Sequence, residues 1–163
     1  MLVLAPSHLF QLPGVALMGV GAALCLLRAA GPRVVFGRRL DVHPLLFGAF
    51  AVILGYSLVL FDLFAKTFAW GAGLIRPRRG LVRLLRAFTL ERGLALGALL
   101  LIAGLAGEAE IVFSWIAGGY GELAAVRGVV LGATGMVLGL QTIAASFLVS
   151  LLLIPRREGP RWR

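Results

Sequence analysis

Few side chains in this 163-residue chain could do chemistry, and most of those lie inside apolar runs. Asp62 and Lys66 stand four residues apart in one such run, the order and spacing of a helical ion pair. An ionisable residue within a membrane helix is a functional-site hypothesis by default. A transport or catalytic carboxylate is one reading; a structural pair, with Lys66 snorkelling toward the interface, is the stronger. Glu108 and Glu110 raise acid–base work or a divalent ion. Two residues apart they point to different faces of a helix, which fits solvated interface residues. Cys25 is the single cysteine and His43 has no second His or Cys nearby, so no disulfide within the chain and no metal site are expected. Asp41 is placed to cap a helix that Pro44 opens. Gln141, Thr142 and Ser146 are uncharged polar groups suited to interhelical contacts. No Walker, GxSxG, HExxH or dinucleotide fingerprint occurs, so no cofactor and no catalytic residue is assigned. Asp41 and Asp62 are the only aspartates, and an apolar span separates them. They cannot form the paired-aspartate motif that holds a metal–nucleotide-sugar complex.

The segment with the most to say is RRGLVRLLRAFTLERG, from Arg78. Leu81, Leu84, Leu85 and Phe88 recur at helical spacing, with Arg79, Arg83, Arg86 and Arg92 supplying charge around them. That pattern predicts a basic amphipathic helix over about 80–92, lying in the membrane interface. Arg76, Arg78 and Arg79 around Pro77 add a short extended basic cluster. Arginine binds phosphate oxygens bidentately. Arg76, Arg78, Arg79, Arg83, Arg86 and Arg92 therefore read either as a cradle for a lipid phosphate or as an anchor to headgroups in general.

The elements that must position these residues are membrane helices. Hydrophobic residues make up 60% of the chain, charged residues 14%, and mean hydropathy is +0.98. Soluble domains sit near about 45–50% apolar and about 25% charged. A soluble enzyme, a disordered tail and a coiled coil are excluded. The net charge of +9 would suggest nucleic acid in a soluble protein. Here the charge lies between apolar runs, so the partners expected are membrane lipids and not nucleic acid. The fold class expected is an all-α integral membrane protein, one membrane domain over 1–163. Its four spans fall at about 9–27, 45–65, 94–117 and 129–154, with the basic interfacial helix between the second and third. The first run lacks a basic n-region, which favours a retained span over a signal peptide.

Loop charges orient the spans. The first loop carries Arg28, Arg33, Arg38 and Arg39, and the third carries Arg127. The second loop carries Lys66 with the six arginines named above, and the C-terminal tail carries Arg156, Arg157, Arg161 and Arg163. Placing both termini in the cytoplasm puts eleven bases inside and five outside. The localisation expected is the plasma (inner) membrane, multi-pass. Gly97, Gly104, Gly132, Gly135 and Gly139 suit close helix approach. Val52-Ile53-Leu54-Gly55 resembles Met136-Val137-Leu138-Gly139, which admits either a duplicated hairpin or chance likeness between apolar helices.

Four segments in order resemble a known region: LDVHPLLFGAF at Leu40–Phe50, GYSLVLFDLFAKTFA at Gly55–Ala69, FTLERGLALG at Phe88–Gly97 and GLQTIAASFLVSLL at Gly139–Leu152. It is the C-terminal membrane domain of family 2 glycosyltransferases similar to dolichyl-phosphate mannose synthase. The likeness runs from about His8 to Ile154. It implies a cytoplasmic GT-A domain that transfers a sugar from a nucleotide donor to polyprenyl phosphate, and that holds the catalytic aspartates and the metal. The chain starts at Met1 near where such a domain would end, and so resembles the membrane half alone. The family often has Gln where Ser57 stands and a small residue where Asp62 stands. The resemblance implies a noncatalytic membrane subunit or anchor that positions the polyprenyl phosphate carrier for a separate GT-A chain. The alternative is a small four-span transporter or a flippase for lipid-linked sugars.

Overall fold

A computed structural model describes residues 10–29, 33–35, 38–40, 43–76, 79–87, 89–119 and 125–154. Among the described residues five helices carry the fold: α1 Leu12–Ala29, α2 His43–Gly71, α3 Arg79–Ala87, α4 Leu90–Ala117 and α5 Val126–Leu152. Among the described residues α2, α4 and α5 are long and apolar enough to cross a membrane, whereas the apolar stretch of α1, Leu12–Leu27, is shorter. At 1.5 Å per residue the 29 residues of α2 extend about 43 Å, more than the ~30 Å of hydrocarbon. The protein is an integral membrane protein built on helices. One departure from an all-helical chain lies between α1 and α2. Strands β1 (Arg33–Val35) and β2 (Arg38–Leu40) pair antiparallel, Val34 opposite Arg39. Three-residue strands are too short to show a period of two in a sequence.

Local chemistry sets the helix ends. Pro13 and Pro44 sit in the first turns of α1 and α2, where a missing N–H costs nothing. The α2 helix closes in a Schellman turn. Leu74 N–H reaches Ala69 O, Gly73 N–H reaches Trp70 O, and Gly73 takes the left-handed φ of 71° that the motif needs. Thr89 caps α4 by accepting from the Arg92 amide. The basic helix therefore stops at Ala87 instead of running to residue 92, and Arg92 belongs to the first turn of α4. Lys66 likewise lies within α2, which continues past residue 65 to Gly71.

Two hairpins of helices emerge, and glycines hold each together. In the first, a Cβ on Gly14 would lie 2.9 Å from Gly55 O, and one on Gly21 would lie 2.5 Å from Gly48 O. In the second, a Cβ on Gly97 would lie 2.8 Å from Gly139 O, and one on Gly104 would lie 2.6 Å from Gly132 O. The paired glycines rise on one helix as they fall on the other, so both hairpins are antiparallel. Every pair is spaced seven residues along its helix. Adding 83 to a position in α1, or 84 to one in α2, gives its counterpart in α4 or α5. The rule extends to neighbours: Val52 crowds Gly21 as Met136 crowds Gly104, and Cys25 sits against Gly48 as Glu108 sits against Gly132.

The hairpins meet along α2 and α5. Ser57 contacts Gln141 in mid-helix, and the end of α2 at Gly71 approaches Leu152 O. These two helices therefore run parallel, with α1 outside α2 and α4 outside α5. Little of the molecule is buried beyond this. Leu45, Ala49, Leu63, Ala69, Ala145 and Val149 make up its apolar core, and large side chains such as Phe47, Leu99, Phe113 and Leu151 face outward. In a bilayer that outward face is solvated by lipid chains. Close backbone approach and polar contacts, not apolar burial, then hold the helices together.

Candidate functional site

Polar side chains collect at three places. The first lies on the α1–α2 hairpin. Asp62 is buried, and its Oδ2 receives the ammonium of Lys66 one turn later. The same ammonium donates to Gln11 Oε1, 3.0 Å away, just before α1 begins. The antiparallel hairpin makes this meeting, since it lays the start of α1 beside the last third of α2. Asp62 Oδ1 is enclosed and finds no hydrogen-bond partner among the described residues. Sequence spacing points to the Asp62–Lys66 pair but not to Gln11, which is 55 residues from Lys66.

The second place is the α2–α5 seam. Tyr56 Oη and Thr142 Oγ1 are 2.7 Å apart. Thr142 spends its one hydroxyl proton on Leu138 O, so Tyr56 is the donor. Gln141 Nε2 donates to Ser57 Oγ at 3.1 Å, and Ser57 Oγ donates to Ile53 O. Ser146 does not cross: its hydroxyl bonds Thr142 O on its own helix. Thr67 and Thr134 bond their own helices in the same way. Such back-bonding satisfies hydroxyls where no water reaches. Gln141 Oε1 stays enclosed without a partner among the described residues. Tyr56 and Ser57 are seam residues that composition does not reveal, because each looks like an isolated polar residue in an apolar run.

The third place is the link between the hairpins. On α3 Arg79, Arg83 and Arg86 follow one another at four and three residues, which lines them along one face, and all three are exposed. Leu81, Val82 and Leu85 are half-buried, while Leu84 is exposed. Arg76 is exposed at the end of the α2 turn and Arg92 at the start of α4. Arg78 lies outside the described residues, as do Asp41, Phe88 and the C-terminal tail. The two glutamates of α4 differ: Glu110 is exposed, whereas Glu108 packs against Gly132 with Oε1 enclosed. The glycine leaves the room that the carboxylate fills. Among the described residues no three His, Cys, Asp or Glu side chains gather into a metal-binding group.

Comparison with known proteins agrees with this architecture. Residues 63–153 match the family described as glycosyltransferase family 2 C-terminal transmembrane region. A relative from Haloferax volcanii, the low-salt glycan biosynthesis hexosyltransferase Agl6, is 30% identical over 157 residues. That match takes in 93% of this chain but only 36% of the relative, so the chain spans about a third of that relative's length. No solved structure matches it. The matched segment covers the end of α2, the basic helix and the whole second hairpin, more than half of the chain. On that ground the chain belongs to the family of glycosyltransferase family 2 C-terminal transmembrane regions.

Proposed function

We propose that this region is a noncatalytic membrane anchor of a polyprenyl-phosphate glycosyltransferase. It positions the lipid-phosphate carrier for a GT-A catalytic unit. α1 joins α2, α4 and α5 as a fourth span, and both termini face the cytoplasm of the plasma membrane. The link between the hairpins then faces the cytoplasm too, with α3 lying in the interface at the depth of lipid phosphates. The observation that carries the reading is the exposed row of Arg79, Arg83 and Arg86, flanked by Arg76 and Arg92. Half-buried Leu81, Val82 and Leu85 suit a helix held at headgroup depth. Family membership supports the enzyme class, and the name of the Haloferax relative supports hexosyl transfer as the reaction served.

The test is polyprenyl-phosphate binding by the parent and by Arg79→Lys, Arg83→Lys, Arg86→Lys and Arg92→Lys variants. Attraction of headgroups in general is worth about 1 kcal/mol per base near the surface, and lysine keeps that charge. A phosphate cradle loses the guanidinium fork on substitution, so at least one variant should bind several-fold more weakly. Equal binding by all four would reduce the segment to an anchor. Cysteine labelling of the tails from outside intact cells would overturn the orientation.

A further inference from the structure

Because the hairpins share one packing scheme, their counterpart positions can be compared directly. The counterparts of Asp62, Lys66 and Gln11 are Ser146, Ser150 and Leu94. The second hairpin closes on its glycines with no charged residue at these three positions. Glycine packing therefore does not call for Asp62 and Lys66, and a charged pair inside a membrane segment is expensive to keep. The pair is also incomplete. The Asp62 side chain is 6% exposed; Oδ2 holds Lys66, and Oδ1 is enclosed with no partner among the described residues. The ammonium has three N–H groups, of which Asp62 and Gln11 engage two. Among the described residues the set thus offers one unfilled acceptor beside one unused donor, and its net charge is zero.

A hydroxyl group answers both at once: its O–H donates to Asp62 Oδ1 and its oxygen accepts from Lys66 Nζ. A bare phosphate answers only the ammonium and brings negative charge toward Asp62. The site lies where α1 begins, toward the open end of the hairpin that the proposed topology sets at the cytoplasmic headgroups, and the Lys66 side chain at 20% exposure forms its lip. The unbranched lysine stem can swing toward the headgroups and admit a ligand. We infer that Asp62, Lys66 and Gln11 form a binding site for the hydroxyl of a lipid headgroup. The hydroxyl comes from the sugar of a glycosyl polyprenyl phosphate or from the glycerol of a phospholipid. The first source rests on the function proposed above, with the arginines of α3 holding the phosphate on the same face; the second does not.

The experiment is native mass spectrometry of the full chain in nanodiscs. Four lipids are compared: polyprenyl phosphate, hexosyl polyprenyl phosphate, phosphatidylglycerol and phosphatidylcholine. The parent should prefer the hydroxyl-bearing member of at least one pair by about tenfold, the scale of one hydrogen bond to a charged group. In Asp62→Asn/Lys66→Gln, which keeps size and neutrality, that preference should fall to about twofold or less. Gln11→Leu leaves the ion pair intact and should lower it in part, which keeps the test decisive if the double variant does not fold. A fall in the hexosyl preference identifies the sugar; a fall in the phosphatidylglycerol preference alone identifies the glycerol. No preference in the parent, or an unchanged one in folded variants, makes the set a structural pair and overturns the inference. Failure of the parent to bind polyprenyl phosphate at all would sink the proposed function while leaving the phosphatidylglycerol comparison to decide this one.

Discussion

The hairpins α1–α2 and α4–α5 close on the same glycine positions, with matched neighbours at each, yet they differ in what they bury. The first keeps an ion pair near the end of α2, and the second keeps hydroxyls at those positions. At the other end the second buries part of Glu108 where the first has Cys25. Shared positions report what packing needs, since a Cβ at seven of the eight glycines would meet backbone and one at Gly132 would meet the Glu108 side chain. Unshared positions report what packing does not need. In a chain where few side chains are polar, that separation points to function more directly than burial does.

The largest expected effect tests the unshared charges. Lys66→Met leaves Asp62 as a buried charge without its counter-ion, a change worth about 3–5 kcal/mol. At the position matching Asp62, Ser146→Ala should cost under about 1 kcal/mol, because that hydroxyl bonds only its own helix. Unfolding in mixed micelles, read by helical circular dichroism, checks both. Near-equal losses would mean that the hairpins do not differ here in energy.

Next come the shared glycines. Gly21→Val drives a methyl-bearing carbon toward Gly48 O, and Gly104→Val does the same toward Gly132 O. Each should destabilise by about 1–3 kcal/mol, with the two losses similar. Gly19→Val is the control, because no atom lies within 4 Å of its added Cβ. It should change little. A loss at Gly104 with none at Gly21 would break the equivalence of the hairpins.

Much of this architecture is legible in the residues themselves. Apolar runs locate the long helices, because lipid demands about 20 such residues in a row. Two boundaries mislead for one reason: charge looks like an edge. Lys66 reads as the end of a span, but its bond to Asp62 lets α2 run on to Gly71. Arg92 reads as part of the basic helix, but the Thr89 hydroxyl starts a new one there. The short β ribbon leaves no pattern to find. Of the polar contacts, those four residues apart can be anticipated, whereas Lys66–Gln11 and Ser57–Gln141 depend on how hairpins fold back and meet. The seven-residue glycine spacing is plain in all four long helices once the pairs are known. Gly97, Gly104, Gly132 and Gly139 stand out within their apolar runs, whereas Gly14, Gly21, Gly48 and Gly55 of the first hairpin are lost among 22 glycines.

The two helices of the second hairpin also differ in their starts. Thr89 caps α4, whereas α5 follows Ala125 with no side-chain cap. Thr89→Ala should cost about 1 kcal/mol and speed hydrogen exchange at the Arg92 amide, while Ala125→Ser should slow exchange in the first turn of α5. An unchanged Arg92 amide in Thr89→Ala would show that the 3.4 Å contact carries no weight.

The smallest effects lie where the hairpins meet, and there the sign matters more than the size. Tyr56→Phe removes the donor to Thr142 but strands nothing, because Thr142 still donates to Leu138 O. Its cost should be about 0.6 kcal/mol, the average for such contacts between membrane helices. Gln141→Leu removes one bond to Ser57 and also removes Oε1, an enclosed acceptor without a partner among the described residues. Losing a satisfied group and an unsatisfied one together should leave stability unchanged or slightly raised. Energy transfer between labels on α1 and α4 reads this seam apart from the hairpins, since those helices sit on opposite sides of it. If Gln141→Leu separates the hairpins more than Tyr56→Phe does, Gln141 Oε1 must accept a bond in the membrane. The seam would then hold a polar link beyond the two seen here.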